Sequence, residues 1–557
     1  PETGAFVDLP YYAWQKERYW LDIDVEQMVA SSQSKVSPES TATIDKLLYE
    51  IVWDELKDLA VSGQKPSIAI LSDGDRWTDI LQKALQERGC AVTMVADAGE
   101  LAASRPAIVI HAAIVPAETI LYEEKCWHKI ADIQAVLRTL SGQPQTRYIV
   151  LTQGAYTLLE KDEAQLQQAF FTGILRTLQY EYTDIHFRQI DVPSSTQDDI
   201  ASLLASAVLA DAQYTELAIR DAAVFAPKWK KATSPDIVKS VDGTATYLVT
   251  GGNSGLGWET VRWLVNKGAK QIAILSRSGL NDEALSQISQ WEKDGADIRS
   301  YTGDVGDGQT IQNILHQIQL QQSAIKGVFH AAGILEDTLF ENLTQEKWEK
   351  AIQAKSNGAW HLHTYFDTPT LDFFVVYSSV SGVLGSAGQS NYAAANTFLD
   401  ALVHYRRNRG LEALSVNWGT VAQIGLAARQ ENRGNRLKDV GWTPLLPEQL
   451  SSYFDAIFLS DATQIAVADI QLDKWAAANP VIRKNYFYSN FFAPEKSEAV
   501  SAETGFPSLA AAQKFARERV KQTVSAITKI GISKIKEDDT FKTYGIDSLL
   551  ALQIKNK

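Results

Sequence analysis

The chain has 557 residues, of which 45% are apolar and 22% charged, and a formal net charge of −14. That length exceeds one hydrophobic core and predicts three or four domains, while the acidic balance argues against nucleic acid as a partner. Two cysteines, Cys90 and Cys126, lack metal-ligand spacing, so no metal site and a reduced, cytoplasmic setting are expected, with no secretory signal or membrane-length apolar run in view.

Residues 1–30 mix rings and charges, as in Tyr11-Tyr12-Ala13-Trp14-Gln15-Lys16. They read as an extended strap or an ordinary terminal arm. Residues 31–46 are a polar linker. From 47 to 231, strands and helices alternate. Ser67–Leu71, Ala107–Ile110 and Tyr148–Leu151 read as buried parallel strands, and Trp77–Arg88 and Ala164–Tyr182 as helices between them. The first turn of this unit, Ser72-Asp73-Gly74-Asp75, holds two acids and one glycine. It would repel phosphate, so no cofactor is expected there. Residues 232–478 give a second alternating series, with strands at 245–250, 271–275, 297–302, 325–330, 371–378 and 412–417. The predicted fold is α/β: two Rossmann-like, doubly wound parallel-sheet subdomains. Residues 479–508, with Pro480, Pro494 and Pro507, read as a linker. A helical pattern from Leu509 leads into Tyr544-Gly545-Ile546-Asp547-Ser548-Leu549 in the last segment, 509–557.

The chemistry concentrates in the second series. Thr250-Gly251-Gly252-Asn253-Ser254-Gly255-Leu256-Gly257 joins a strand to a helix N-terminus, where unpaired N–H groups and a partial positive charge suit a pyrophosphate. Strand two ends in Ser276-Arg277. An arginine fork there matches a ribose 2′-phosphate and favours NADPH over NADH. Asp304 and Val305, after strand three, suit an adenine ring. His330-Ala331-Ala332-Gly333 ends strand four with small residues that let a cofactor pass, and His330 itself reads as structural. Ser379 ends a strand and Tyr392 opens a helix, so both reach the sheet's crevice. Tyr392 could protonate a carbonyl oxygen that Ser379 holds, provided that a cation such as Lys355 stabilises the phenolate.

These residues resemble the ketoreductase domain of a modular type I polyketide synthase, a short-chain dehydrogenase relative. The passages Tyr377-Ser378-Ser379-Val380-Ser381-Gly382 and Gln389-Ser390-Asn391-Tyr392-Ala393-Ala394-Ala395-Asn396 carry the likeness. The resemblance implies Tyr392 as proton donor, Ser379 as carbonyl binder and Lys355 as the tyrosine's electrostatic partner. It places Asn396 where most short-chain dehydrogenases have lysine, to order water for reprotonation. Residues 47–231 resemble the truncated structural half of such a domain, and Leu9–Trp20 the linker after an acyltransferase. Val416-Asn417-Trp418-Gly419 and Gly425-Leu426-Ala427 resemble the approach to a substrate lid. Gly545-Ile546-Asp547-Ser548-Leu549 resembles an acyl carrier protein, with phosphopantetheine on Ser548 and the carrier cut short at Lys557. One departure is Ser254, where the usual polyketide turn has glycine.

The implied activity is NADPH-dependent reduction of a carrier-bound β-ketoacyl thioester, alongside the acyltransferase and ketosynthase of the same module. Asp337 in Leu335-Glu336-Asp337, and Leu384 where makers of the L-alcohol carry tryptophan, imply a D-hydroxy, B-type product. No proline lies two residues after Tyr392, so epimerisation is not implied. An inactive scaffold and a fatty acid synthase reductase are the rival readings.

Overall fold

The computed structural model describes residues 44–557, apart from residues 62, 116–123, 142–145, 195–199, 423, 425–439, 493–508, 529, 537–538, 540, 545, 547–553 and 555–557. The strap, most of the first linker, Gly425 to Ala427 and Ser548 lie outside the described residues.

The first half contributes β1 (Leu48–Glu55), β2 (Ser67–Leu71), β3 (Ala91–Val95), β4 (Ile108–Ala112), β5 (Arg147–Gln153), β6 (His186–Val192), β7 (Glu216–Arg220) and β8 (Ala223–Lys231). The second contributes β9 (Thr246–Thr250), β10 (Gln271–Ser276), β11 (Asp297–Thr302), β12 (Ile325–His330), β13 (Phe373–Ser379) and β14 (Leu414–Trp418). A two-stranded pair, β15 (Trp442–Thr443) with β17 (Asp469–Ile470), flanks β16 (Gln464–Val467). The two halves are not separate sheets. Among the described residues, fifteen strands form one sheet in the order β11-β10-β9-β12-β13-β14-β16-β1-β8-β7-β6-β5-β4-β2-β3.

The seam is β1. It runs antiparallel to β16 on one side and to β8 on the other. Tyr49 on β1 stacks on Trp229 of β8 at 4.1 Å, and both rings are buried. Away from the seam, β2 to β6 and β9 to β14 pair in parallel; the inner strands are near-continuous apolar runs covered by helices on both faces, while the edge strands β3 and β11 are partly exposed.

A second junction joins the halves outside the sheet. The helix Ala169–Glu181, here the docking helix, is buried at every residue but Gln179. It packs on Ser390–Asn408, the helix that carries Tyr392. Gly173 makes this possible, because a Cβ there would lie 2.4 Å from the carbonyl carbon of Ala393. Phe170 stacks on Phe398 at 5.1 Å and meets Trp348 edge-on.

The expected linker 479–508 is folded in its first part. Pro480–Lys484 and Tyr486–Tyr488 form tight 3₁₀ turns, and Ile482, Phe487, Tyr488 and Phe492 are buried against Trp229 and Trp475. Proline marked a break in helix there, but the interleaved apolar rings had a core to fill.

Candidate active site

The cofactor turn follows β9. Gly251 has φ 69°, and a Cβ on it would sit 2.8 Å from the Ala332 nitrogen. A Cβ on Gly257 would sit 2.3 Å from the Gly251 oxygen. These two glycines bring strand, turn and helix together. Ser254 has φ −166°, extended backbone that any residue adopts, and the left-handed step falls on Gly255 at φ 58°. The serine in place of the usual glycine therefore leaves the turn intact. Its side chain makes no capping bond to the helix Gly255–Asn266, so that end keeps unpaired N–H groups. Leu256, in the first turn of that helix, packs on the core.

Neighbouring strand ends complete the groove. Asn253 donates through Nδ2 to Ser278 Oγ (2.9 Å), and Ser276 Oγ donates to Ser278 O (2.5 Å). Arg277 between them is exposed. Asp304 Oδ1 accepts from Gly306 N (2.8 Å), while Val305 is buried. Ala331, Ala332 and Gly333 lie half-buried after β12. A Cβ on Gly333 would come within 2.9 Å of Lys355 Cε.

Lys355 lies not in regular α-helix but in a π-helical stretch, Gln353–Asn357, between two short helices. The wider turn aims its side chain inward. Lys355 is buried, donates through Nζ to Tyr377 O (2.6 Å), and its ammonium lies 5.2 Å from the centre of the Tyr392 ring. Burial pushes its pKa down to about 7, against the pull of the Asp400 carboxylate. His330 is a supporting residue: its Nε2 donates to Lys355 O (2.9 Å), and its Nδ1 then accepts from Thr250 Oγ1 (2.7 Å).

Ser379 starts the short helix Val380–Leu384, and its hydroxyl accepts from Ser381 N (3.2 Å) and Ser381 Oγ (3.0 Å). Tyr392, half-buried, lies in the first turn of its helix, and its N–H donates to Asn391 Oδ1 (2.8 Å). Asn396 donates through Nδ2 to Tyr392 O (2.7 Å), and its buried Oδ1 lacks a partner. Asp337 accepts from Gln389 Nε2 (2.9 Å), and Leu384 is buried beside the same segment.

A buried polar layer beneath these groups was not foreseen. Asn417 donates through Nδ2 to Ser378 Oγ (2.9 Å) and to both oxygens of Asp400 (3.0 and 2.9 Å), and Ser415 Oγ adds a bond to Asp400 (2.5 Å). Ser378 in turn donates to Asn396 O (3.3 Å). Burial raises the Asp400 pKa against these bonds. The sequence did carry a signal: Ser415 and Asn417 interrupt an otherwise apolar strand at alternate positions.

Among the described residues, no cluster of His, Cys, Asp or Glu could hold a metal ion, and no helix is long and apolar enough to cross a membrane.

A glycine turn after the first strand of a doubly wound half, with a serine at a strand end and a lysine and a tyrosine on the helical segments around it, defines a short-chain dehydrogenase-type reductase. Comparison with known proteins narrows the class. Residues 245–423 match the KR domain family, residues 53–229 the Rossmann fold domain of polyketide synthase extender module SpnB, and residues 518–557 the phosphopantetheine attachment site. The ketoreductase from the first module of phoslactomycin biosynthesis in Streptomyces sp. HK803 is 26% identical, with a TM-score of 0.68 over 80% of this chain and 99% of that one. An A1-type ketoreductase is likewise 26% identical, with a TM-score of 0.69 over 78% and 95%. A highly reducing polyketide synthase of Gibberella zeae is 32% identical over 345 residues, 57% of this chain, and the chain spans 14% of its length. Residues 245–423 thus form a ketoreductase domain of the polyketide synthase type, with a phosphopantetheine attachment domain after it at 518–557.

Proposed function

We propose that the chain reduces the β-keto group of a carrier-bound β-ketoacyl thioester to the D-β-hydroxyacyl thioester, with NADPH as reductant. The observation that supports it most is the buried Lys355 ammonium, 5.2 Å from the Tyr392 ring. The groove suits the cofactor. Gly251 and Gly257 admit no Cβ, the Gly255–Asn266 helix start is uncapped by a side chain, and Arg277 is exposed where a 2′-phosphate would lie.

Bound NADPH would supply the hydride to the β-carbon. The chain's own groups do the rest. The Ser379 hydroxyl and the Tyr392 phenol hold the carbonyl oxygen, where negative charge grows. Tyr392 releases its proton to that oxygen, and the Lys355 cation stabilises the phenolate left behind. Asn396 Oδ1, buried without a partner, is suited to hold a water that returns the proton. Ser548 would carry the phosphopantetheine arm that presents the substrate, and the acyltransferase and ketosynthase of the same module would load and extend it. Asp337 and Leu384 support the D-hydroxy, B-type assignment, which does not follow from overall similarity, since an A1-type relative is equally alike.

The test is NADPH oxidation with a panel of β-ketoacyl thioesters, repeated with NADH and followed by chiral chromatography. Tyr392→Phe should lower kcat by about a hundredfold or more, because general acid catalysis is worth about 10²–10⁴, with NADPH affinity kept. Wild-type turnover in that variant would remove Tyr392 from the mechanism, and an L-alcohol would reverse the stereochemical assignment.

A further inference from the structure

The docking helix belongs to the half without the glycine-rich cofactor turn, yet its side chains reach the segment between Ser379 and Tyr392. Arg176 Nη1 donates to Gly382 O (2.8 Å), while its other nitrogens hold Glu216 in a two-point pair (2.8 and 2.7 Å). Tyr180 Oη donates to Leu384 O (2.9 Å). Ser386 N donates to Thr177 Oγ1 at 3.5 Å. Glu181 accepts from Gly388 N on Oε1 (2.8 Å) and from Phe340 N on Oε2 (2.7 Å). Residues 173, 176, 177, 180 and 181 follow the three- and four-residue steps of one helix face. The fit is close: a Cβ on Gly385, which has φ 76°, would lie 2.0 Å from Arg176 O.

Apart from the Arg176–Glu216 pair, which stays within the first half, each of these bonds ends on main chain of the second half, so what they fix is the path of its backbone. That path carries Leu384 and leads from Ser379 to Tyr392. The neighbouring stretch 336–340 is tied to it: Thr338 N donates to Gly388 O (2.8 Å), and Gln389 Nε2 to Asp337 (2.9 Å). Glu181 grips both stretches at once, one oxygen on each. Its side chain is buried, so its loss would leave two N–H groups without an acceptor and out of reach of water.

We propose that Glu181 is a positioning residue for stereoselectivity: by tying residues 336–340 to residues 382–388 it fixes the wall that orients the ketone, so the half without the glycine-rich cofactor turn shares control of which face receives hydride. This rests on the reductase reading above. A clamp that serves stability alone would use the same bonds, so the test must separate the two.

The whole chain would be prepared as wild type, Glu181→Gln and Tyr180→Phe. Each would be assayed for thermal melting, NADPH affinity, kcat and KM with a β-ketoacyl thioester, and enantiomer ratio of the product. Glutamine keeps the length but can serve only one of the two N–H groups. The expected result is NADPH affinity within about twofold of wild type, with KM and the minor-enantiomer fraction each raised about fivefold or more, the scale of one lost hydrogen bond. Tyr180→Phe keeps the ring and removes the hydroxyl that donates to Leu384 O and pairs with Tyr488, so a smaller shift in the same direction is expected, and it covers the case in which Glu181→Gln fails to fold. Lower melting with unchanged KM and enantiomer ratio would overturn the proposal in favour of a stability clamp, and so would variants identical to wild type. No turnover by wild type would instead overturn the reductase reading, and this proposal with it.

Discussion

The two halves share a plan and differ in a few side chains that decide what each crevice can hold. In the first, Thr152 pairs with Asp191 across β5 and β6; in the second, Ser378 pairs with Asn417 across β13 and β14 at the corresponding place. In both halves the strand beside the one that leads into the first turn, β4 beside β2 and β12 beside β9, ends around His-Ala-Ala, at His111 and at His330, and both histidines are buried. The helix N-termini differ. Asp75 accepts from Trp77 N and Thr78 N, so an internal carboxylate already occupies the N-terminus of the first half's helix. Asp73 takes Lys129 at 2.5 Å. The result is a cavity of about 430 Å³ that includes both acids among its lining. Ser254 leaves the second half's helix end uncapped. Gln153 stands where the register puts Ser379. One acid at a helix N-terminus and one amide at a strand end separate a crevice suited to phosphate from one that repels it.

The largest effect that would sharpen this contrast is Gly257→Ala. With backbone 2.3 Å from the new Cβ, NADPH affinity should fall at least about a hundredfold, since no flexible side chain can yield. Isothermal titration would show it, and retained affinity would break the contrast. Gly173→Ala should come next. It pushes on Ala393, next to Tyr392, and should lower kcat about tenfold or more through misplacement of the phenol. NADPH affinity, read in the same titration, should stay unchanged.

A pH series separates chemistry from stability. Lys355, with its pKa pushed down to about 7, is cationic below that value. The kcat/KM profile should therefore fall on its alkaline side from about pH 7. Stability should move the other way. Between about 7 and the ordinary 10.5 the unfolded chain binds a proton that the folded one does not, so this group's contribution to unfolding free energy rises with pH. A flat rate profile would contradict the role given to the cation.

The two shared histidines should make both halves acid-sensitive. Burial pushes His111 down to about 3 and His330 to about 4, from 6.5. The unfolded chain takes up these protons first, so stability is lost as pH falls from about 6.5 toward 4. Urea titrations should show the slope, and His111→Gln should make it shallower. Smallest of all is Gly74→Ala in the first half's turn. It has open space but φ 87°, and should cost about 1 kcal/mol of stability with no change in turnover.

Much of the site was legible because its signals are local. A glycine-rich stretch between a strand and a helix, and a serine and tyrosine on either side of a strand-to-helix turn, need only near neighbours to be read. Lys355 was legible as a candidate by its residue type, but its π-helical stretch was not visible, since the hydrogen-bond shift leaves no periodic mark over five residues. The buried Asp400 layer, the folded part of 479–492 and the contacts of the docking helix were missed for a different reason. Their partners lie far away in sequence, as with Arg176 and Gly382, 206 residues apart.

By itself, then, the sequence determined the two α/β series, the cofactor turn and the candidate catalytic groups, because period, turn chemistry and residue type are properties of short segments. Only the tertiary structure decided that β1 would fuse the series into one sheet, and that a helix from the first would hold the segment between Ser379 and Tyr392 of the second. Those outcomes depend on which buried surfaces and unpaired backbone groups find each other, and main-chain acceptors such as Gly382 O and Leu384 O look alike in any sequence.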